Sequence, residues 1–147
     1  MNDEVGAAED RRKHLEFLQA VISRMSSASG VAKGWCLTVT TAALGYALTK
    51  RSDSVAVLAV AACLLFGSLD ARYLREERKF RSLYNRARAG TVAVFDMSTA
   101  GCTERKSQFF DPMCGWGQVL KSWSIWTFYG PIVLLGLAAL LRIRGAI

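Results

Sequence analysis

Three stretches of uncharged and mostly apolar residues divide the chain. They cover residues 34–49, 54–69 and 122–141. A helix needs about 20 residues to cross a hydrocarbon layer of ~30 Å, and about 17 is the lower limit. The last stretch is long enough, and the first two reach the limit when apolar neighbours are added and Lys33 and Arg72 extend their charges towards head groups. The pattern predicts transmembrane helices at residues 34–50, 54–72 and 122–141.

The polar segments are also helical in their periodicity. Before the first stretch, small or apolar residues alternate at spacings of three and four: Leu15, Leu18, Ile22, Met25, Ser29, Ala32, Cys36 and Val39. This heptad spacing predicts one helix that continues into the first stretch. The second stretch likewise continues beyond residue 72 with Tyr73, Phe80 and Leu83 on one face.

The link between these two helices is only four residues long, so we expect an antiparallel hairpin that extends beyond the membrane. The predicted class is all-α, an integral membrane protein with three transmembrane helices. Residues 1–33 form an N-terminal cytoplasmic amphipathic helix, and residues 73–121 form a cytoplasmic helix extension and a loop. Two alternatives are a soluble bundle with buried apolar helices and a third helix that is re-entrant or interfacial.

The distribution of basic residues predicts the orientation of the chain in the membrane. The chain has 19 Lys and Arg residues against 12 Asp and Glu. Five basic residues precede the first stretch and ten lie between residues 70 and 121, whereas two lie in the short link and two in the C-terminal tail. Basic residues concentrate on the cytoplasmic side of membrane proteins. The N-terminus and the long middle segment are therefore expected in the cytoplasm, and the C-terminus outside.

Several function classes lose support from the composition. There is one histidine, His14, and the chain has no glycine-rich phosphate loop and no nucleophile elbow. We expect no catalytic residues, no cofactor and no metal site. The four cysteines, which contain no CxxC pair, are interpreted as packing residues or free thiols: Cys36, Cys63, Cys102 and Cys114.

Each of the first two stretches has a face of small residues, which lets helices approach closely. On the second stretch this face comprises Ala56, Ala59, Cys63, Gly67 and Asp70. We expect one face to pack within the chain and the other to serve an oligomer interface or to line water. The candidate pore-lining residues are Thr38, Thr41, Gly45, Thr49 and Asp70.

Asp70 is the only acidic residue near the hydrocarbon boundary of the second stretch. A carboxylate at such a depth is costly and usually faces a partner or water. Two interpretations follow. Asp70 pairs with an arginine about one turn along, Arg72 or Arg75, or copies of Asp70 form a ring at the cytoplasmic mouth of a cation-selective pore.

Two segments and the start of the third stretch carry a resemblance. HLEFLQAVISRMSSASGVAKGW, SLDARYLREERKFRSLYNRAR and SIWTFYGP resemble a family of small, mostly uncharacterised bacterial inner-membrane proteins. Some members are membrane effectors of antiphage defence systems, encoded beside nucleotidyltransferases. The resemblance implies a bacterial inner-membrane location and regulatory or partner-contact roles for Arg24, Lys33, Arg75, Arg78, Arg81 and Tyr84.

These observations predict an oligomeric effector that forms a regulated pore or perturbs the membrane. The resemblance implies a role in antiphage defence, under control of a nucleotide or oligonucleotide signal. Its expected partners are the lipid bilayer, further copies of the chain, and a cytosolic nucleotidyltransferase or its product. The alternative is a non-conducting scaffold that anchors a cytosolic partner through its helical stalk.

Overall fold

The computed structural model describes residues 2–102, 104 and 110–145, and for residues 2–4 the backbone alone. Its helices are α1 (Asn2–Lys50), α2 (Asp53–Arg88), a 3-10 turn (Pro112–Cys114), α3 (Trp116–Leu120) and α4 (Trp123–Ile143). Helix accounts for 82% of the residues that the structure describes, and these ranges contain no strand. The all-α prediction is confirmed. The predicted loop falls partly outside the described residues, at 103 and 105–109.

Helix α1 runs without interruption for 49 residues. The sequence contains no proline before Pro112, and Gly30 and Gly34 do not break the helix. It ends at Lys50, and Arg51 adopts a left-handed φ of 51° that turns the chain. Asp53 lies in the first turn of α2, where a carboxylate interacts favourably with the positive end of the helix dipole.

The chain forms two compact units, each built from two segments of sequence. Unit 1 comprises Met1–Ser27 and Tyr73–Val119, and unit 2 comprises Ala28–Arg72 and Leu120–Ile147. Both α1 and α2 therefore contribute residues to both units. Neither unit is complete until two distant parts of the chain have come together.

Unit 1 has a small core of buried leucine and alanine side chains, Leu18, Leu83 and Ala87. Further apolar side chains pack against this core: Leu15, Phe80, Tyr84 and Val92. Next to it, His14 is 2% exposed, and its Nε2 lies 3.1 Å from the carbonyl oxygen of Asp96. The segment that follows α2 is thereby held against α1.

Unit 2 is centred on Cys36, Cys63 and Tyr129. The other side chains of this cluster are Phe66, Ile125, Phe128, Ile132 and Val133. Gly67 lies against the ring of Tyr129, since a Cβ at that position would be 3.5 Å from the ring, an ordinary van der Waals distance. An exposed ion pair also joins α2 to the residue after α4, since Arg144 Nε lies 2.8 Å from Asp53 Oδ2.

Two of the described helices, α2 and α4, are long and apolar enough to cross a membrane. Their most apolar 18-residue windows have mean hydropathies of 2.0 and 1.8. Helix α1 is not among them, because the first apolar stretch contains four threonines, a tryptophan and a tyrosine, which reduce its mean hydropathy. The structure supports two apolar helices, and the third transmembrane helix remains a prediction.

We expect Gly136→Ala to loosen the packing of α4 on α2. A Cβ at residue 136 would lie 2.6 Å from Cγ2 of Val60, and β-branched valine has little rotational freedom with which to give way. Overpacking of this kind costs about 1–3 kcal/mol. Thermal unfolding in detergent measures the loss. The control is Gly130→Ala on the same helix, whose Cβ would meet nothing closer than 4.0 Å.

A second substitution that removes the crowded side chain tests whether the contact with Val60 causes the loss of stability. If the contact with Val60 is responsible, Gly136→Ala combined with Val60→Ala recovers most of the lost stability. A Gly136→Ala protein as stable as the Gly130→Ala control would contradict the close approach of α4 to α2.

Candidate functional site

A buried ion pair lies between α1 and α2 in unit 2. Asp70 is 1% exposed, and its Oδ2 lies 2.8 Å from Nζ of Lys33. Ser29 completes a triangle, since its hydroxyl donates to Oδ1 of Asp70 at 2.5 Å and accepts from Lys33 Nζ at 2.9 Å. One carboxylate oxygen of Asp70 therefore faces the ammonium group of Lys33, and the other faces the hydroxyl of Ser29.

The partner of Asp70 differs from the arginine that the sequence suggested. Lys33 comes from the other helix, whereas Arg72 is exposed and Arg75 interacts with Cys114 and Trp116. A carboxylate with almost no exposure needs a charge partner that is close in space. Helix α1 brings Lys33 and Ser29 into that position, and sequence spacing within α2 gave no sign of it.

The small-residue face of α2 is used inside unit 2. Four of its residues are buried: Ala56, Ala59, Cys63 and Asp70. The fifth, Gly67, lies against Tyr129. This is the close packing for which small residues are suited. This face of α2 is therefore used in packing within unit 2.

The small-residue face of α1, in contrast, is open. Thr38, Thr41, Gly45 and Thr49 are all exposed. Two of the hydroxyls donate to carbonyl groups of their own helix, Thr38 to Gly34 at 3.0 Å and Thr49 to Gly45 at 2.8 Å. A Cβ on Gly45 would meet nothing within 4 Å. We call these four residues the open face of α1.

The five pore-lining candidates are thus divided. The open face of α1 holds four of them, and Asp70 is buried away from it against Lys33. Sequence reasoning also passed over Thr40, which is 1% exposed and donates to the carbonyl of Cys36 at 2.5 Å. Thr40 takes the buried position that the heptad assigned to Val39, which is 40% exposed. A straight α-helix drifts relative to a 3.5-residue repeat, and this drift accounts for the exchange.

The six regulatory candidates do not form one site. Lys33 belongs to the buried ion pair, Tyr84 packs on the core of unit 1, and Arg81 forms an ion pair with Glu77. Arg24 lines an apolar groove of about 500 Å³ in unit 1. The remaining lining residues of this groove are Phe17, Ala20, Val21, Phe95 and Met97.

The last two candidates, Arg75 and Arg78, hold the loop that precedes α3. Arg75 Nε donates to the carbonyl of Cys114 at 3.2 Å, and its guanidinium lies 4.6 Å from the centre of the Trp116 ring. Arg78 donates to the carbonyl of Met113 at 3.3 Å. A guanidinium over an aromatic ring is a favourable arrangement. These two arginines therefore have a structural role within unit 1.

The interpretation of all four cysteines as packing residues or free thiols is wrong for two of them. Cys102 and Cys114 form a disulfide, whereas Cys36 and Cys63 are free and buried. Gly101, with a φ of +85°, turns the chain directly before Cys102. A backbone hydrogen bond of 3.0 Å from Asp111 N to the carbonyl of Cys102 joins the two halves of the loop. The number and spacing of the cysteines do not reveal these turns, so the sequence alone could not show that the two sulfur atoms are close.

No family model, no curated protein and no solved structure matches this chain. The resemblance to bacterial effector proteins therefore rests on the sequence motifs alone.

Proposed function

We propose that this chain is a multi-pass membrane protein of the bacterial inner membrane. The observation that supports a membrane location is the exposure of its apolar helices, whereas the bacterial inner membrane is carried over from the sequence resemblance. In the most apolar windows of α2 and α4, only 28% and 17% of the residues are buried. Leucines on both helices are more than 60% exposed, among them Leu58, Leu65 and Leu134. The core helix of a soluble bundle buries such side chains, whereas a lipid-facing helix exposes them.

In the proposed topology α1 and α2 form a hairpin, α4 is the third span, and the N-terminus is cytoplasmic. The distribution of basic residues supports this orientation. The aromatic side chains at the start of α4 support its role as a span, since Trp123 is 81% exposed and Trp126 67% exposed. Tryptophan favours the membrane–water interface, where its ring is apolar and its N–H finds an acceptor. Trp126 Nε1 donates to the carbonyl of Leu120 at 2.8 Å.

We further propose that copies of the chain associate through the open face of α1 and form a regulated pore or perturb the membrane. Small residues allow close helix contact, and threonine hydroxyls offer hydrogen bonds across an interface or to water. The small-residue face of α2 is already occupied within the chain, so the open face of α1 is the surface that remains. Control by a nucleotide or oligonucleotide in antiphage defence is carried over from the sequence resemblance.

The second candidate function is a non-conducting scaffold that binds a cytosolic partner through unit 1. The apolar groove beside Arg24 favours it, because Phe17 and Phe95 line the groove and are 56% and 50% exposed. Exposed aromatic side chains around a groove are common at protein interaction sites. A scaffold would leave the membrane potential unchanged.

Membrane potential separates the two functions. We expect overexpression of the chain alone in bacteria to depolarise the cells, measured by a potential-sensitive dye, before a membrane-impermeant DNA stain enters. The matched control is a chain that ends at residue 120 and lacks α4. A steady potential, in uninfected and phage-infected cells alike and with the protein confirmed in the membrane, would contradict the pore and favour the scaffold.

A further inference from the structure

Three potential metal ligands meet in the loop of unit 1. The sulfur atoms of Cys102 and Cys114 and a carboxylate oxygen of Asp111 all lie within 4.8 Å of one another. Both cysteines are completely buried and Asp111 is partly buried. Thiolates and carboxylates are ligands for Zn²⁺, and buried sulfur is well suited to a structural site.

Asp111 caps the 3-10 turn that leads to Cys114. Two residues, Pro112 and Met113, separate Asp111 from Cys114, and this spacing occurs between the ligands of structural zinc sites. The backbone N–H of Met113 donates to Oδ1 of Asp111 at 2.9 Å, and Cys114 N donates to the carbonyl of Asp111 at 3.0 Å. A carboxylate that accepts one such bond still offers its other oxygen to a cation.

The surroundings compensate the charge that such a site would carry. Two thiolates and one carboxylate bring three negative charges, and Zn²⁺ offsets two of them. The guanidinium groups of Arg75 and Arg78 bind the carbonyls of Cys114 and Met113. Nearby cations favour the thiolate form of cysteine, which is the form that binds metal. The arginines also fix the turn on α2, so that its ligands are held in place.

The redox state of the cellular compartment determines whether Cys102 and Cys114 are present as thiols or as a disulfide. In the proposed topology residues 73–121 are cytoplasmic, and the cytosol keeps most cysteines reduced. In that compartment the Cys102–Cys114 disulfide of the structure is exposed to reduction to two thiols. Once they are reduced, the two buried thiols and the neighbouring carboxylate can together bind a metal cation.

We propose that the reduced loop binds one divalent zinc-class cation through Cys102, Asp111 and Cys114, with water as the fourth ligand. This site rests on the cytoplasmic placement in the proposed function. Two low-molecular-weight thiols reduce the protein disulfide and themselves become a disulfide. The two protein thiols then release their protons to solvent and bind the cation as thiolates. Oxidation by a cellular disulfide reverses both steps and expels the metal.

The test uses the full chain in detergent, reduced with a phosphine under anaerobic conditions and titrated with Co²⁺ and then Zn²⁺. We expect one Co²⁺ per chain, a thiolate-to-cobalt charge-transfer band in the near ultraviolet, and loss of that band when Zn²⁺ displaces Co²⁺. Cys114→Ser weakens the band and lowers the affinity of the chain for Co²⁺ by at least about tenfold, since the loss of even an outer-shell partner costs about 10–100-fold. Asp111→Asn, which keeps the backbone cap, lowers affinity while the band remains.

Two control variants make the outcome specific. Glu104→Gln removes an exposed carboxylate from the same loop and is expected to bind like the wild type. Cys36→Ala with Cys63→Ala removes the other thiols and is also expected to leave binding unchanged. The absence of a charge-transfer band in the reduced wild type, or a band of equal strength in Cys114→Ser, would overturn the site.

The compartment is measured separately, so that failure of the site and failure of the topology are distinguishable. A reporter enzyme that is active only outside the cytoplasm is fused after residue 121. Activity of this fusion would contradict the topology and make the disulfide the resident form. An inactive fusion together with Co²⁺ binding supports the proposal as a whole.

Discussion

Lys33→Met is expected to destabilise the protein by about 3–5 kcal/mol, because it leaves the buried carboxylate of Asp70 without its cation. Asp70 is 1% exposed and its Oδ2 lies 2.8 Å from Lys33 Nζ, so water cannot replace the ammonium group at low cost. Ser29 offers one neutral hydrogen bond, which does not balance a full charge. Thermal unfolding of the purified protein in detergent measures the loss.

The double variant identifies the ion pair as the cause. Lys33→Met with Asp70→Leu removes both charges, and such replacements of buried ion pairs by apolar residues are often nearly neutral. We therefore expect the double variant to be considerably more stable than Lys33→Met alone. Lys50→Met, which removes an exposed lysine at the end of the same helix, is the matched control and leaves stability unchanged. Equal stability of Lys33→Met and Lys50→Met would contradict the buried pair.

The second large effect is expected on the open face of α1. Gly45→Leu places a bulky side chain where a Cβ meets no other atom within 4 Å, so the fold of a single chain tolerates it. A contact between copies at this face does not, since small residues are what permits close approach. We expect depolarisation on overexpression to fall to the level of the chain that ends at residue 120, and crosslinked oligomers to disappear.

Thr41→Leu, on the same face, is expected to act in the same direction. The matched control is Tyr46→Leu, which exchanges one large side chain for another at a position that is 56% exposed and outside the small-residue face. It leaves depolarisation unchanged. If Gly45→Leu and Thr41→Leu both depolarise cells as strongly as the wild type while present in the membrane, the pore face is assigned incorrectly.

Local pattern was sufficient to predict the long helices, but the short α3 (Trp116–Leu120) lies in the segment that was predicted to be a loop. The heptad before the first apolar stretch and the apolar periodicity beyond the second indicated the helices that the structure shows as α1 and α2. The path of the loop between α2 and α3 was harder to predict, because it is set by individual turns and not by a repeating pattern. The stretch from Thr91 to Met97, for example, contains Phe95 at a left-handed φ of 65°.

The candidate sites depend on contacts between residues that are far apart in the sequence, and spacing along the chain does not predict such contacts. The charge of Asp70 and its depth were visible in the sequence, but Lys33 lies 37 positions away on the other helix. The Cys102–Cys114 pair has a separation of 12 residues and no recognisable ligand motif, because the third proposed ligand, Asp111, is an aspartate. In both cases chemically ordinary residues gain a role only once the chain has folded.

The division of the chain into two discontinuous units has a consequence for biosynthesis. Unit 1 ends at Val119, and unit 2 needs residues from Leu120 onwards. As the chain leaves the ribosome, every part of unit 1 is therefore made before the last segment of unit 2 exists. Until α4 is synthesised, Cys36 and Cys63 lack the cover of Tyr129. Translation thus imposes an order of assembly, in which the apolar core of unit 2 closes last.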